Sequence, residues 1–218
     1  MITDLSTPAQ STSTPLTLSL YFIYDSHCPW SYAATPLVNA LSQAYPEMGL
    51  HLMHCAHFDG SDAAGQEQVD AILKLSAVKF GKEHIRYVNS PKDSLKTANL
   101  MAWIQTKQPD KLLPVLSALQ KSHFIEGNAF NCKPDFNDLI ETFKLSPSKK
   151  VFRDELSSEA EFVLADIEEI QEMIATTAFP ALLIIADEQG IFIDHSQYLG
   201  LPEGIVDAVE KELAALNF

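Results

Sequence analysis

One cysteine stands out for its chemistry, in the segment Tyr24-Asp25-Ser26-His27-Cys28-Pro29-Trp30-Ser31-Tyr32. Residues 16–24 read as a strand and the residues from Pro29 onward as a helix. The Cys28 sulfur would then face the unpaired N–H groups of Trp30 and Ser31 and the positive end of the helix dipole. Both favour thiolate, and such positions bring a cysteine pKa from about 8.5 down to roughly 3.5–7.5. The expectation is a nucleophile at neutral pH, aided by a hydrogen bond from the Ser31 hydroxyl and by His27 if its imidazole is protonated. Asp25 would act the other way if it were close. The competing reading makes Cys28 a small buried apolar residue, the usual state of an intracellular cysteine.

The other thiols, Cys55 and Cys132, complete an odd and sparse set of three. That count suits thiols kept reduced rather than a disulfide framework. Both are expected to be structural, the alternative being a distant resolving thiol. His51, His54 and His57 flank Cys55, but a spacing of three alternates the faces of a strand, so no metal is expected there. Trp30 reads as a groove wall, and Trp103 with Phe80 as helical core. Asn99 and Asp187 have no role that the sequence argues.

The elements that must position Cys28 follow from periodicity. Residues 16–24 mix alternation with β-branched and aromatic residues. Pro29 suits a first helical position, where its missing N–H costs nothing, and the helix should run to Tyr45, bent by Pro36. Residues 49–58 return as a second strand, parallel to the first across that crossover helix. From Asp62 to about Lys144 the pattern is helical almost throughout. A further helix is expected over 158–175, capped by Ser157 or Ser158. Residues 179–185 form a buried strand, a hairpin at 187–190 leads into 191–194, and 202–216 is an amphipathic helix. Strand, helix, strand, helical section, helix, strand, strand, helix is a thioredoxin core interrupted by helices. The expected class is therefore α/β, a thioredoxin-like fold with a helical insertion, built from 16–60 and 151–218 around an insertion at 61–150. A flexible Ser/Thr/Pro-rich arm occupies 1–15.

Composition narrows the partners. A chain of 218 residues with 46% apolar content buries a sizeable core, and its formal charge of -14 disfavours nucleic acid and anionic membranes. Residues 1–16 lack the basic start of a signal peptide, and 16–24 is too short to span a bilayer, so the expected location is cytoplasmic.

With Cys28-Pro29-Trp30-Ser31 at a helix start, Phe124-Ile125-Glu126-Gly127-Asn128 inside the helical section and Ala178-Phe179-Pro180 before a late strand, the chain resembles the DsbA family of thioredoxin-fold proteins. That family carries Cys-x-x-Cys at the start of its first helix, a Phe-x-Glu-Gly segment in its insertion, and a cis-proline loop facing the cysteine. Ser31 departs from the pattern at the second cysteine. The resemblance implies a cis bond at Phe179-Pro180, which would let Phe179 offer its amide groups to an extended thiol substrate. Pro-Trp-Ser-Tyr also resembles the kappa-class glutathione transferases and the 2-hydroxychromene-2-carboxylate isomerases, whose motif starts with serine where Cys28 stands.

A site with one thiol can attack a disulfide and exchange partners, but an external thiol must release the mixed disulfide. The leading expectation is a monothiol disulfide oxidoreductase or isomerase with Cys28 and Ser31 catalytic and His27, Pro29, Trp30, Phe179 and Pro180 binding substrate. Glutathione is the expected co-substrate and a thiol- or disulfide-containing client the expected partner. A kappa-like transferase or isomerase is the second reading, and a binding module without chemistry the third. Oligomeric state is left open, a dimer included.

Overall fold

Leucine, phenylalanine and tyrosine at alternate positions turn Leu18–Tyr24 (β1) into a two-faced strand, with Leu20, Phe22 and Tyr24 on one side and Tyr21 and Ile23 on the other. The computed structural model describes residues 17–187 and 189–216, so the arm expected at 1–15 lies outside the described residues. The partners of β1 are Gly49–His54 (β2), Ala181–Ala186 (β3) and Gln189–Ile193 (β4), in the sheet order β2-β1-β3-β4. β1 pairs in parallel with β2, Tyr24 opposite His54, and antiparallel with β3, Ile23 opposite Ala181. β3 and β4 form the hairpin.

The parallel pair needs a crossover, which is the helix Pro29–Ala44 (α1), with Pro29 at its start and Pro36 inside it. Ala33, Ala34, Leu37 and Leu41 of α1 bury against Leu20, Phe22 and Leu182 of the sheet. The same core takes in Ile205 and Val209 of the last helix, Gly204–Ala215 (α8). On the opposite face, Ile23, Met53 and Leu183 meet Ala160, Val163 and Ile167 of the helix Ser158–Met173, so the sheet lies between two helical layers. Ser157 caps that helix by accepting the Ala160 amide at 3.2 Å.

Between β2 and that capped helix lie Gln66–Leu75 (α2), Lys82–Arg86 (α3), Leu95–Lys107 (α4), Leu112–Lys121 (α5) and Asn137–Thr142 (α6), which makes Ser158–Met173 α7. Leu100, Met101, Leu116 and Leu119 pack into the core that holds Leu20 and Phe22, so the insertion and the sheet share one interior. Trp103 and Phe80 lie half-buried against it, as expected.

Two expectations are corrected. The second strand stops at His54 instead of running to Phe58, because Ala56 adopts a left-handed backbone (φ 46) that no strand can hold. Residues 55–65 are therefore irregular backbone that folds back over the start of α1. The helical section is also less continuous than its pattern suggests: α5 ends in a wider π turn, Ser122–Glu126, and left-handed Gly127 closes it. Asn99 and Asp187 gain roles that the sequence did not argue. Asn99 ties α4 to the start of α7, donating to the Glu155 carbonyl at 2.9 Å and accepting the Ser157 amide at 2.8 Å. Asp187 accepts the Thr17 amide at 3.0 Å and so fastens the start of β1. Among the described residues no helix is long and apolar enough to cross a membrane.

Candidate active site

The turn from β1 into α1 is closed by the Cys28 amide donating to the Asp25 carbonyl at 3.1 Å, which places Cys28 at the cap position of the helix. Cys28 is only 5% exposed and packs with Phe58 and Ala64, while Trp30 and Phe179 lie half-buried beside it. A cavity of about 330 Å³ opens here, lined by Cys28, Trp30, His57, Phe58, Gln68 and Phe179, with Asp62 and Ala63 on the insertion side. The Phe179–Pro180 peptide bond is cis. Thus Cys28, Trp30 and Phe179 share one cleft. Pro29, Ser31 and Pro180 are buried and lie outside its lining.

The expected thiolate is corrected. Burial pushes the Cys28 thiol up to about 11; the Ser31 amide and hydroxyl and the Trp30 amide pull it down, and the Asp25 charge pushes it further up. These donors at the helix start do not outweigh the desolvation. The cause is tertiary: Phe58 and Ala64, from the irregular backbone after β2, cover the sulfur.

His27 is corrected as well. It was expected to bind substrate and, if protonated, to lend the thiol positive charge, but it is fully buried and points away into the insertion. Its Nε2 donates to the Ala129 carbonyl at 3.2 Å, which leaves Nδ1 to accept from the Ser26 hydroxyl at 2.9 Å. Burial lowers its pKa, so it stays neutral at pH 7.

The residue that organises the loop is Asp25, fully buried. Its Oδ1 accepts the His27 amide at 2.8 Å. Oδ2 accepts the His57 amide at 2.8 Å, the Phe58 amide at 3.3 Å and the Ser94 hydroxyl at 2.6 Å. Burial opposes its charge, but the His54 and His27 imidazoles, the Ser94 hydroxyl and the His27 amide together hold its pKa below the ordinary value. One carboxylate thereby joins the loop before Cys28, the loop that covers it, and the cap of α4. Ser31 serves the same loop, its Oγ accepting the Asp25 amide at 3.2 Å. His54 is buried alongside, 2.8 Å from the Ser26 hydroxyl through Nε2, and burial holds its pKa down to about 4.

The three histidines near Cys55 go to separate places: His51 stacks on Tyr21, His54 joins the buried network, and His57 packs against Phe179 with ring centroids 4.8 Å apart. Cys55 is half-buried beside the opposite core, its thiol pushed up by burial. Cys132 is exposed and its Sγ donates to Asp135 at 3.3 Å. Sequence reasoning missed Asp25 as a hub, and it missed His57, Phe58, Asp62 and Gln68 as cleft residues. None of these carries a periodic or spacing signal, although His57 stood out as a titratable group.

No protein-family model matches the chain, and no curated protein matches it. Solved structures do. The chain is similar to the cytosolic disulfide reductase DsbM from Pseudomonas aeruginosa, at 21% identity over 90% of this chain and 99% of that one, with a TM-score of 0.75. A structure of the same reductase with GSH gives 20% identity over the same shares and a TM-score of 0.73. A Nitrosomonas europaea protein proposed to be a protein disulfide isomerase gives 16% identity over 90% and 98%, with a TM-score of 0.67. These likenesses establish the fold, a DsbA-like thioredoxin domain with a helical insertion.

Proposed function

We propose that the protein is a thiol-disulfide oxidoreductase that uses Cys28 as a monothiol and a small external thiol, glutathione, to complete its cycle. One observation carries this reading: Cys28 stands at the start of α1 in the wall of a cleft shared with Phe179, with a buried serine where a second sulfur would stand. The similarity to a reductase solved with GSH supports the choice of thiol.

The chemistry is exchange at sulfur. Cys28 first loses its proton, and His57, in the same cleft, is the side chain suited to accept it. The Cys28 sulfur then attacks the glutathione sulfur of a glutathionylated client. A Cys28–glutathione disulfide forms, the client–sulfur bond breaks, and the client leaves as a thiolate that takes up a proton. A second glutathione thiolate attacks the mixed disulfide, releasing oxidised glutathione and restoring Cys28. The client sulfur is reduced and the incoming glutathione sulfur is oxidised, the glutathione carried in on the client being already at the disulfide level, so the cycle balances without a second protein cysteine. Trp30 and Phe179 supply apolar walls for the substrate. The reaction suits a reducing cytoplasm, where glutathione is abundant.

Intact-mass spectrometry after incubation with oxidised glutathione tests the reading. The expected product is one glutathionyl group on Cys28, formed faster as pH rises and absent from Cys28→Ser. A wild-type protein that gains no adduct at Cys28 by pH 9 would refute it.

A further inference from the structure

Lys92 is a buried cation of the insertion. It is 8% exposed, its ammonium donates to the carbonyls of Tyr87 at 2.6 Å and Ser90 at 2.9 Å, and no carboxylate pairs with it among the described residues. Two carbonyls leave one N–H unused and the charge uncompensated. Lys92 lines a cavity of about 320 Å³ in the insertion, which shares no lining residue with the thiol cleft. The walls include the rings of His84, His123 and Tyr87 and the ring of Pro91.

The two imidazoles are buried and neutral. His84 and His123 are nearly fully buried, with ring centroids 5.2 Å apart. His123 Nδ1 donates to the Asn128 carbonyl at 2.7 Å, and the Nε2 atoms of both rings have no hydrogen-bond partner. Burial lowers both pKa values, that of His84 to about 4, so neither ring supplies competing positive charge at pH 7. Glu83 is at the wall, but its carboxylate is engaged by Arg86 at 3.0 Å. The cavity depends on close packing of α3 against the turn after α5. A Cβ on Gly127 would sit 2.7 Å from Glu83 Cβ, and one on Gly81 would overlap the Ile125 carbonyl. The Phe124-Ile125-Glu126-Gly127 segment is thus part of the cavity's frame.

A desolvated ammonium with a spare donor, set among flat rings in a chain of formal charge -14, selects for a compact anion with an apolar body. We propose that this cavity binds a small organic carboxylate, its oxygens on Lys92 Nζ and its apolar part against His84, His123, Tyr87 and Pro91.

Isothermal titration with benzoate tests it, with benzamide as the uncharged isostere and inorganic phosphate as an anion lacking the apolar body. Benzoate should bind at one site, benzamide about tenfold or more weakly by comparison, and phosphate without saturation. Lys92→Met should weaken benzoate by about tenfold or more. Because Lys92 also ties down two carbonyls, Asn131→Trp is the second variant: it leaves Lys92 in place, fills the cavity mouth and should block benzoate. Absence of benzoate binding at millimolar concentration overturns the proposal. So does equal binding of benzamide, saturable phosphate binding in place of benzoate, or benzoate affinity unchanged in the two variants.

Discussion

Replacing Asp25 with asparagine separates two effects that the structure combines in one carboxylate. Asparagine keeps one acceptor oxygen and presents an NH2 in place of the other. If its oxygen keeps the His27 amide, the amides of His57 and Phe58 and the hydroxyl of Ser94 lose the acceptor they now share. Each buried group left unsatisfied costs about 1–3 kcal/mol, and the hydroxyl can rotate to the Phe58 carbonyl 3.2 Å away, so the two orphaned amides give an expected loss of roughly 2–6 kcal/mol. The effect on Cys28 has the opposite sense. Asp25 raises the thiol pKa by charge, and asparagine removes that charge. An interaction of only about 1 kcal/mol would change the thiolate fraction roughly fivefold. The assay is urea denaturation for stability, paired with iodoacetamide alkylation of Cys28 under native conditions at several pH values. The expected outcome is a less stable protein whose Cys28 alkylates roughly fivefold faster at pH 7. A folded Asp25→Asn protein that alkylates at the wild-type rate, or more slowly, would refute the argument that this charge adds to burial in keeping the thiol protonated.

In the wild-type protein a thiol near 11 leaves about one part in 10⁴ as thiolate at pH 7, so Cys28 alkylation should rise about tenfold per unit from pH 7 to 10; a plateau below pH 9 contradicts it. His54 and His84 are held down to about 4 in the folded protein against an ordinary 6.5. The unfolded chain therefore binds more protons between those values, and stability is lost as pH falls from 6.5 toward 4, by about 1.4 kcal/mol per unit per group. Denaturation midpoints that stay flat across that window contradict the buried neutral assignment. Gly127→Ala combines a positive φ of 80 with a Cβ 2.7 Å from Glu83 Cβ and should cost more than the ~1–2 kcal/mol of left-handed backbone alone, measured by denaturation. Cys28→Ser should abolish disulfide exchange, and a variant that still conjugates glutathione to a generic electrophile would favour the transferase reading.

The strands and long helices were legible because their signals are local. Alternation in β1, Pro29 at the start of α1 and Ser157 ahead of α7 each need only a few neighbours to be read, and the order of elements then implied the fold. The position of Cys28 was legible for the same reason. Its protonation state was not, because the residues that bury it, Phe58 and Ala64, lie thirty or more positions away, on backbone that departs from strand geometry at Ala56. His27 shows the same limit: its neighbour in sequence is Cys28, but its partner is Ala129, and only the packed insertion decides which way the ring turns. Asp25 could be recognised as a charge near the thiol, yet its stabilising donors come from three separate segments.

Turnover of a glutathionylated peptide in the presence of reduced glutathione, compared across wild type, Cys28→Ser and a Cys55→Ser/Cys132→Ser double variant, tests the monothiol claim most directly. The double variant should turn over at the wild-type rate, and Cys28→Ser should be inactive. Activity that survives in Cys28→Ser, or that disappears when Cys55 and Cys132 are removed from a folded protein, would contradict it.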